Sequence, residues 1–261
     1  MNSLPAASLW YTFQAIVDRE LLRFFQQKSR LFSALVRPLL WLIVFAAGFR
    51  SALGLSITPP YETYILYQEY IVPGLCGMIV LFNAMQSSLS MVYDREMGSM
   101  KVLLMSPAPK AFLLFAKLCG GAILSLLQVV IFVLLAWGLD VNIPLLGLLY
   151  SIPTIFLTAF FLGSLGLILA NHIKQLENFA GVMNFVIFPM FFLSSALYPL
   201  WKIQESSLYL YWLCKYNPFT FAVEMLRFSL YEQYNVELIA LVSGVTLLCA
   251  YFAINTFKAK K

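Results

Sequence analysis

The sequence predicts an all-α integral membrane protein, and three observations support this fold class. Apolar residues make up 61% of the 261 residues and charged residues only 11%, with a mean hydropathy of +0.83, whereas a soluble domain is about a quarter charged. The apolar runs are continuous rather than alternating, as in membrane-spanning helices. The basic residues are scattered at the ends of these runs, so the net charge of +5 does not indicate a nucleic-acid partner.

Six apolar segments are long enough to cross a bilayer as helices. The predicted domain 31–257 contains spans at about 31–49, 70–92, 111–137, 145–170, 179–197 and 236–257, and a basic tail at 258–261 follows it. Arg37 lies near the start of the first span, and we expect its side chain to extend toward the inner headgroups. With the N-terminus inside, 13 of the 17 lysines and arginines fall in inner segments, which predicts that both termini are cytoplasmic.

The N-terminal region 1–30 is predicted to hold an amphipathic helix at the membrane interface. On a helical wheel, an apolar stripe that includes Trp10 and Phe13 lies opposite three basic residues, which are Arg19, Arg23 and Arg30. Aromatic side chains on one face and arginines on the other suit a helix that lies on the anionic, cytoplasmic surface and contacts lipid. A surface helix packed on a soluble core is the alternative, but the sequence offers no such core.

Residues 91–121 form the longest polar interruption between two apolar runs. Apolar residues recur there at helical spacing, and prolines end the short amphipathic helix that this spacing predicts. Such a helix either lies on lipid or under its own bundle, or docks into a groove on a separate cytoplasmic protein. The residues that we single out for a partner contact are Asp94, Arg95, Glu96, Met97, Gly98, Met100, Leu104 and Pro107. Glu96 is the strongest candidate for coupling, and a carboxylate that favours the helix dipole is its alternative role.

The segment 198–234 is too charged for an ordinary span and too apolar for a free loop. This combination predicts re-entrant helices at the outer face of the membrane. Glu224 and Arg227 are three residues apart and can pair on one helix face, which we interpret as a structural contact. The residues of interest in this segment are Tyr198, Pro199, Asn217, Pro218, Glu224 and Arg227.

Motifs for ATP binding and for metal-dependent or redox catalysis are absent from the sequence, so we predict neither an enzyme nor a metal site. It contains no Gly-x4-Gly-Lys-Ser/Thr loop, no His-Glu-x-x-His and no Cys-x-x-Cys. Polar and aromatic side chains within the spans are instead candidates for a substrate path, and we choose Asn83, Gln86, Asn184 and Phe188. Interhelical hydrogen bonding is the alternative for the amides, and core or lipid packing is the alternative for Phe188.

Two ordered groups of motifs carry a resemblance to a known family. The first group is Asp-Arg-Glu-x-Gly-Ser at 94–99, Leu-Leu-x-Ser-Pro at 103–107, and Lys117 followed by Gly120-Gly121. The second group is Leu-Ser-Ser-Ala-Leu-Tyr-Pro at 193–199, Tyr-Asn-Pro-Phe-Thr at 216–220, and Glu224 to Arg227. Together they resemble the permease signature of type-2 ABC exporters, with Ser194-Ser195 where that family usually has Ser-Gly.

The resemblance implies that 94–109 is a coupling helix that contacts a separate ABC ATPase subunit. ATP and Mg would then be bound by that partner, with no cofactor in this chain. Two copies of the chain would form a homodimer with two ATPase subunits in the bacterial cytoplasmic (inner) membrane. The pair would move an amphipathic or lipid-linked substrate outward by alternating access. The alternative function is a stand-alone membrane channel or a scaffold for the assembly of another membrane complex.

Overall fold

The computed structural model describes residues 6–49, 59–61, 65–100, 105–106, 108–173 and 175–257. These residues form ten helices and no strand, which confirms the all-helical fold class. The helices are α1 (Ala6–Gln26), α2 (Lys28–Phe49), α3 (Tyr67–Glu96), α4 (Lys110–Trp137), α5 (Leu145–His172), α6 (Leu176–Phe192), α7 (Leu200–Ser206), α8 (Leu208–Lys215), α9 (Pro218–Leu230) and α10 (Val236–Thr256).

Within the described residues, four helices are long and apolar enough to cross a membrane, namely α3, α4, α5 and α10. They coincide with four of the six predicted spans. The other two predicted spans are also helical, but their apolar parts are shorter: Phe32–Phe45 in α2, and Leu176–Phe192, which is all of α6. The structure therefore supports an integral membrane protein with at least these four spans.

Helix α3 lies at the centre of the bundle and packs against α2, α4, α5, α6 and α9. Small residues let its neighbours approach closely. A Cβ atom added to Gly166 of α5 would lie 2.2 Å from the Ser88 hydroxyl of α3, and one added to Gly74 of α3 would lie 2.1 Å from the Ala196 carbonyl. Gly166 thus allows α5 to pack closely against α3.

The segment after α6 forms three short helices, α7 to α9, and the last of them is part of the core. Its side chains Phe219, Val223 and Leu226 are fully buried against α3 and α5. Asn217 caps α9, since its side-chain oxygen accepts a hydrogen bond from the Phe219 backbone N–H, and Pro218 follows as the first helical residue. Asn-Pro is a favourable start for a helix because proline has no N–H to leave unpaired.

Candidate functional site

Five charged side chains from α1, α3 and α4 meet beside the contact of α1 with α4. We call them the ion-pair cluster: Arg19, Glu20, Arg23, Asp94 and Lys117. Lys117 Nζ lies 2.9 Å from Glu20 Oε1, and Arg23 Nη2 lies 2.8 Å from Asp94 Oδ1. Arg19 Nη2 bridges the two carboxylates at 3.1 Å from Glu20 and 3.3 Å from Asp94. Helix α1 is thereby joined to both α3 and α4.

Three members of the ion-pair cluster are almost completely buried. Glu20 is 6% exposed, Asp94 3% and Lys117 4%, and buried charges are tolerated only when they are paired. Burial alone would raise the pKa of Glu20, but Lys117 and the two arginines hold that pKa below its ordinary value. The hydrogen bond to Asp94 raises the pKa of Arg23 despite its partial burial. The surroundings of Glu20 and Arg23 therefore favour the charged form of each.

The sequence of α1 explains why Glu20 points into the protein. Ile16, Glu20 and Phe24 follow each other at four-residue spacing and lie on one helix face, and all three are buried. At Gly120 the backbone of α4 approaches this face so closely that an added Cβ atom would lie 3.3 Å from the Cβ of Glu20. One face of α1 is thus covered by protein, whereas Trp10 at its start is 63% exposed.

The predicted interfacial residues divide between these two environments. Phe13 stacks on Trp10 at a ring-centroid distance of 5.9 Å and packs within the protein next to Ile16. Arg19 and Arg23 pair with Asp94. The side chain of Arg30 lies outside the described residues.

The end of α3 leads into the segment that the sequence singles out for a partner contact. Gly98 adopts a φ of +77° with open space around it, a conformation that suits glycine. Ser99 donates a hydrogen bond to Asp94 Oδ1 at 3.1 Å, so the Asp94 carboxylate faces inward. Arg95 is partly buried and Glu96 is exposed. Glu96 Oε2 accepts a hydrogen bond from the backbone N–H that begins α6, at 3.3 Å.

The methionines of this segment lie on different surfaces. Met97 is 62% exposed and Met105 is 83% exposed, whereas Met100 is 7% exposed and packs between α3, α4 and α10. Leu104 and Pro107 lie outside the described residues. Met97 therefore exposes an apolar side chain directly after Glu96 in the chain, and Met105 exposes another further along the same segment. We call these two side chains the methionine turn.

The candidate path residues fall into two pairs, since Asn83 and Gln86 line one small cavity and Asn184 and Phe188 lie on α6. Asn83 is buried and donates to the Gly121 carbonyl at 2.9 Å and to Ser125 Oγ at 2.8 Å, which is the interhelical hydrogen bonding that the sequence left as an alternative. Gln86 is partly buried on α3. Asn184 and Phe188 are exposed one helical turn apart on α6.

A second buried charge lies at the opposite end of α3. Arg227 is 2% exposed and pairs with Glu224 one helical turn before it. Its guanidinium donates to the Ser195 carbonyl at 2.9 Å and lies 4.0 Å from the ring centroid of Tyr70. These four residues form what we call the Arg227 cluster, which is the structural pairing that the sequence indicates, extended by two partners from other segments.

The remaining residues of interest in 198–234 shape the local turns. Asn217 Nδ2 donates to the Met190 carbonyl at 2.9 Å and so fixes the end of α6 to the start of α9. Pro199 precedes the first residue of α7, and Tyr198 beside it is 37% exposed.

The sequence of the chain matches known proteins over most of its length. Residues 11–231 match the sequence profile of the family described as ABC-2 type transporter, a range that includes the ion-pair cluster, the methionine turn and the Arg227 cluster. The chain belongs to this family.

Named permeases are among the relatives of the chain. A putative transport permease ycf38 of Cyanophora paradoxa is 30% identical over 213 residues, which cover 78% of this chain and 70% of that protein. The putative transport permease ycf38 of Pyropia yezoensis is 27% identical, with 100% and 93% covered. The inner membrane transport permease YadH of Escherichia coli (strain K12) is 24% identical, with 88% and 87% covered. The chain is accordingly an ABC-2 permease, and the resemblance seen in its motifs is confirmed.

Sequence reasoning about this permease named Lys117 only as part of a motif, and it missed Glu20 and the ion pair between the two residues. A signal was available, because Lys117 is the only charged residue within the apolar run 111–137, and a cation there requires a partner. Glu20 gave a similar signal, because it is a charged residue between the apolar residues Ile16 and Phe24 on one face of α1. Their pairing becomes visible only when α1 is placed against α4.

Proposed function

We propose that the permease is the transmembrane subunit of an ABC exporter that is powered by a separate ATPase subunit. Family membership supports this proposal, as does the absence of a phosphate-binding loop from the sequence. The substrate is amphipathic or lipid-linked and moves outward by alternating access. ATP and Mg are bound by the ATPase, of which the complex contains two copies.

The ATPase docks at the methionine turn. Met97 exposes an apolar side chain next in the chain to the exposed Glu96, and Met105 exposes a second one in the same segment. Methionine is a flexible and polarisable contact residue that adapts to a partner surface. This arrangement favours a groove on another protein, in which the apolar side chains are buried and the carboxylate meets a cation or a helix N-terminus.

Force from the ATPase passes to the spans through the ion-pair cluster. Ser99 next to the methionine turn is hydrogen-bonded to Asp94, which is paired with Arg19 and Arg23 of α1. Glu20 on the same helix is paired with Lys117 of α4. A displacement of the turn is therefore transmitted to two spans through short, charged contacts rather than through apolar side chains that can slide.

A second copy of the permease faces α6, and the substrate path runs between the two copies. Asn184 exposes its amide on α6 among the exposed rings of Phe185 and Phe188. An amide that faces lipid lacks hydrogen-bond partners, whereas a second copy or a hydrated path supplies them. In this arrangement α2 and α6 are spans as well, which gives six, with both termini and the methionine turn in the cytoplasm of a bacterial inner-membrane protein.

Co-purification tests the proposal most directly. The permease, purified in mild detergent, is expected to bring down a P-loop ATPase in equal copy number. A chain that purifies alone, and that conducts ions in a planar bilayer without nucleotide, would exclude the proposal in favour of a channel.

Glu96→Ala is expected to uncouple the complex. Loss of a charged hydrogen-bonding group costs about 1.5–3 kcal/mol, which is about tenfold or more. Outward movement of a fluorescent phospholipid in proteoliposomes should therefore fall at least tenfold while ATP hydrolysis continues. Glu96→Gln separates the roles, because it keeps an oxygen for the α6 backbone but removes the charge. Glu177→Ala, at an exposed position in the first turn of α6, is the matched control and should transport normally.

A further inference from the structure

Arg37 of α2 carries a charge in the middle of the bundle. Its guanidinium lies 4.0 Å from the ring centroid of Phe82 on α3. Phe82 is twelve residues from Tyr70 of the Arg227 cluster and twelve from Asp94 of the ion-pair cluster, or about 18 Å from each at 1.5 Å per residue. The Arg37 guanidinium thus packs against the ring of Phe82, and the predicted extension toward the inner headgroups stays a prediction. Its cation lies midway between the two polar ends of α3.

Arg37 has no carboxylate partner in the part of the chain that the structure describes. The ion pairs found there are those of the ion-pair cluster and of Arg227 with Glu224. The aromatic ring of Phe82 offers a weaker, partial compensation. An arginine stays protonated in proteins, and an intramembrane charge is costly without a counter-charge. Compensation of the Arg37 charge therefore requires an anion from outside the described residues.

Three amide side chains line a cavity together with Arg37. A small cavity of about 20 Å³ is lined by Arg37, Asn83, Gln86 and Gln128, together with Phe82 and its neighbours. Gln128 is 2% exposed, and its side-chain oxygen is buried without a hydrogen-bond partner. The oxygen and nitrogen of an amide exchange places when the group turns by 180°. Gln128 can thus either accept from a protonated ligand oxygen or donate to an ionised one.

We propose that Arg37 and Gln128 form a binding site for the anionic group of the amphiphile that the permease moves, an inference that rests on the proposed transport function. The group is a phosphate, sulfonate or carboxylate, whose oxygens match the donors of a guanidinium. Arg37 is only partly buried, so a headgroup reaches it from the open side of α2, and the cavity receives one of its oxygen atoms. The apolar tail remains among the surrounding spans.

Probe binding to the purified permease tests this site without any ATPase. The probes are a dansyl-labelled dodecyl phosphate and a matched dansyl-labelled dodecyl trimethylammonium, titrated in dodecyl maltoside micelles and followed by fluorescence anisotropy. Wild-type protein should bind the anionic probe at least tenfold more tightly than the cationic one. Arg37→Gln should remove this preference, and Arg37→Lys should retain most of it. Lys110→Gln removes an exposed positive charge elsewhere and should bind both probes as wild type does.

Gln128→Met keeps the test independent of folding. This substitution removes a buried oxygen that has no partner, so the protein should unfold at the same temperature as wild type or higher. It should still weaken binding of the anionic probe severalfold and leave the cationic probe unaffected. A purely structural role of the two residues predicts no such charge selectivity.

Three results would overturn the proposal. The first is equal affinity of Arg37→Gln and wild type for the anionic probe, and the second is equal affinity of wild type for both probes. The third is displacement of the anionic probe by millimolar inorganic phosphate, which would make the ligand a free anion rather than a lipid headgroup. None of these three results bears on whether an ATPase co-purifies with the permease. Conversely, Arg37-dependent binding by a permease that brings down no ATPase would reject the exporter and keep the anion site.

Discussion

The ion-pair cluster and the Arg227 cluster bury charge by opposite means. Arg227 pairs with Glu224 on its own helix, one turn away, and adds a backbone carbonyl and an aromatic ring. In the ion-pair cluster the partners come from different helices, and Asp94 and Lys117 are 71 to 97 residues away from their partners on α1. The ion pair of the Arg227 cluster is thus fixed within one helix, whereas the ion-pair cluster exists only while three helices keep their mutual positions.

This difference indicates which end of the permease can act as a movable joint. A shift of α1 or of the end of α3 changes every distance in the ion-pair cluster, and alternative pairs are available because two arginines and a lysine share two carboxylates. A shift of α9 carries both Arg227 and Glu224 with it. We therefore expect the Arg227 cluster to set stability and the ion-pair cluster to set coupling.

The largest effect should come from Arg227→Met. It leaves Glu224 without its cation and removes one of the two donors to the Ser195 carbonyl, the other being the Tyr70 hydroxyl at 3.0 Å. Breaking a buried pair in this way costs about 3–5 kcal/mol of unfolding free energy. Thermal unfolding of the protein in detergent, followed by tryptophan fluorescence, measures the loss. The double variant Arg227→Met/Glu224→Leu should recover part of it. An unfolding temperature unchanged in the single variant would show that this cluster does not support the fold.

A smaller loss of stability is expected for Lys117→Met. Glu20 keeps Arg19 at 3.1 Å as a second partner, so the cost should be about 2 kcal/mol. The double variant Glu20→Leu/Lys117→Met removes both buried charges and should unfold near the wild-type temperature.

Transport by that double variant distinguishes the roles of the two clusters. If the ion-pair cluster is a joint, the stable double variant still hydrolyses ATP with its partner but moves lipid poorly in proteoliposomes. Normal transport by a stable double variant would assign both clusters to stability alone.

The smallest effect should be a pH dependence that originates at Glu20. The pKa of this group is lower in the folded protein than its ordinary value of 4.5, because Lys117 and the arginines favour its charged form. Its contribution is therefore present above pH 4.5 and is lost as the pH falls through the lower, folded pKa. Glu20→Gln should show a flatter decline of unfolding temperature below pH 4.5 than wild type. The difference is small because a protonated carboxyl can still hydrogen-bond, and parallel curves would show that Glu20 is not ion-paired.

The sequence predicted most of the helices and the pairing of Glu224 with Arg227, because both follow from local patterns. Apolar length marks a span, and a spacing of three places two residues on one helix face. The same reasoning placed Met97 and Met100 together on the face of a short helix. The structure separates them, since Met100 is covered by α4 and α10, and no local pattern specifies which helices lie beside it.

By itself, the sequence determined the fold class, the positions of the apolar helices and the family, since composition, periodicity and ordered motifs are properties of the chain alone. The packing of the helices was needed to show that α1 is bound to α3 and α4 through buried ion pairs, and that the Arg37 guanidinium lies against Phe82, midway along α3. The physical reason is that the free energy of a buried charge depends on its neighbours in space, and these neighbours come from segments that are far apart in the chain.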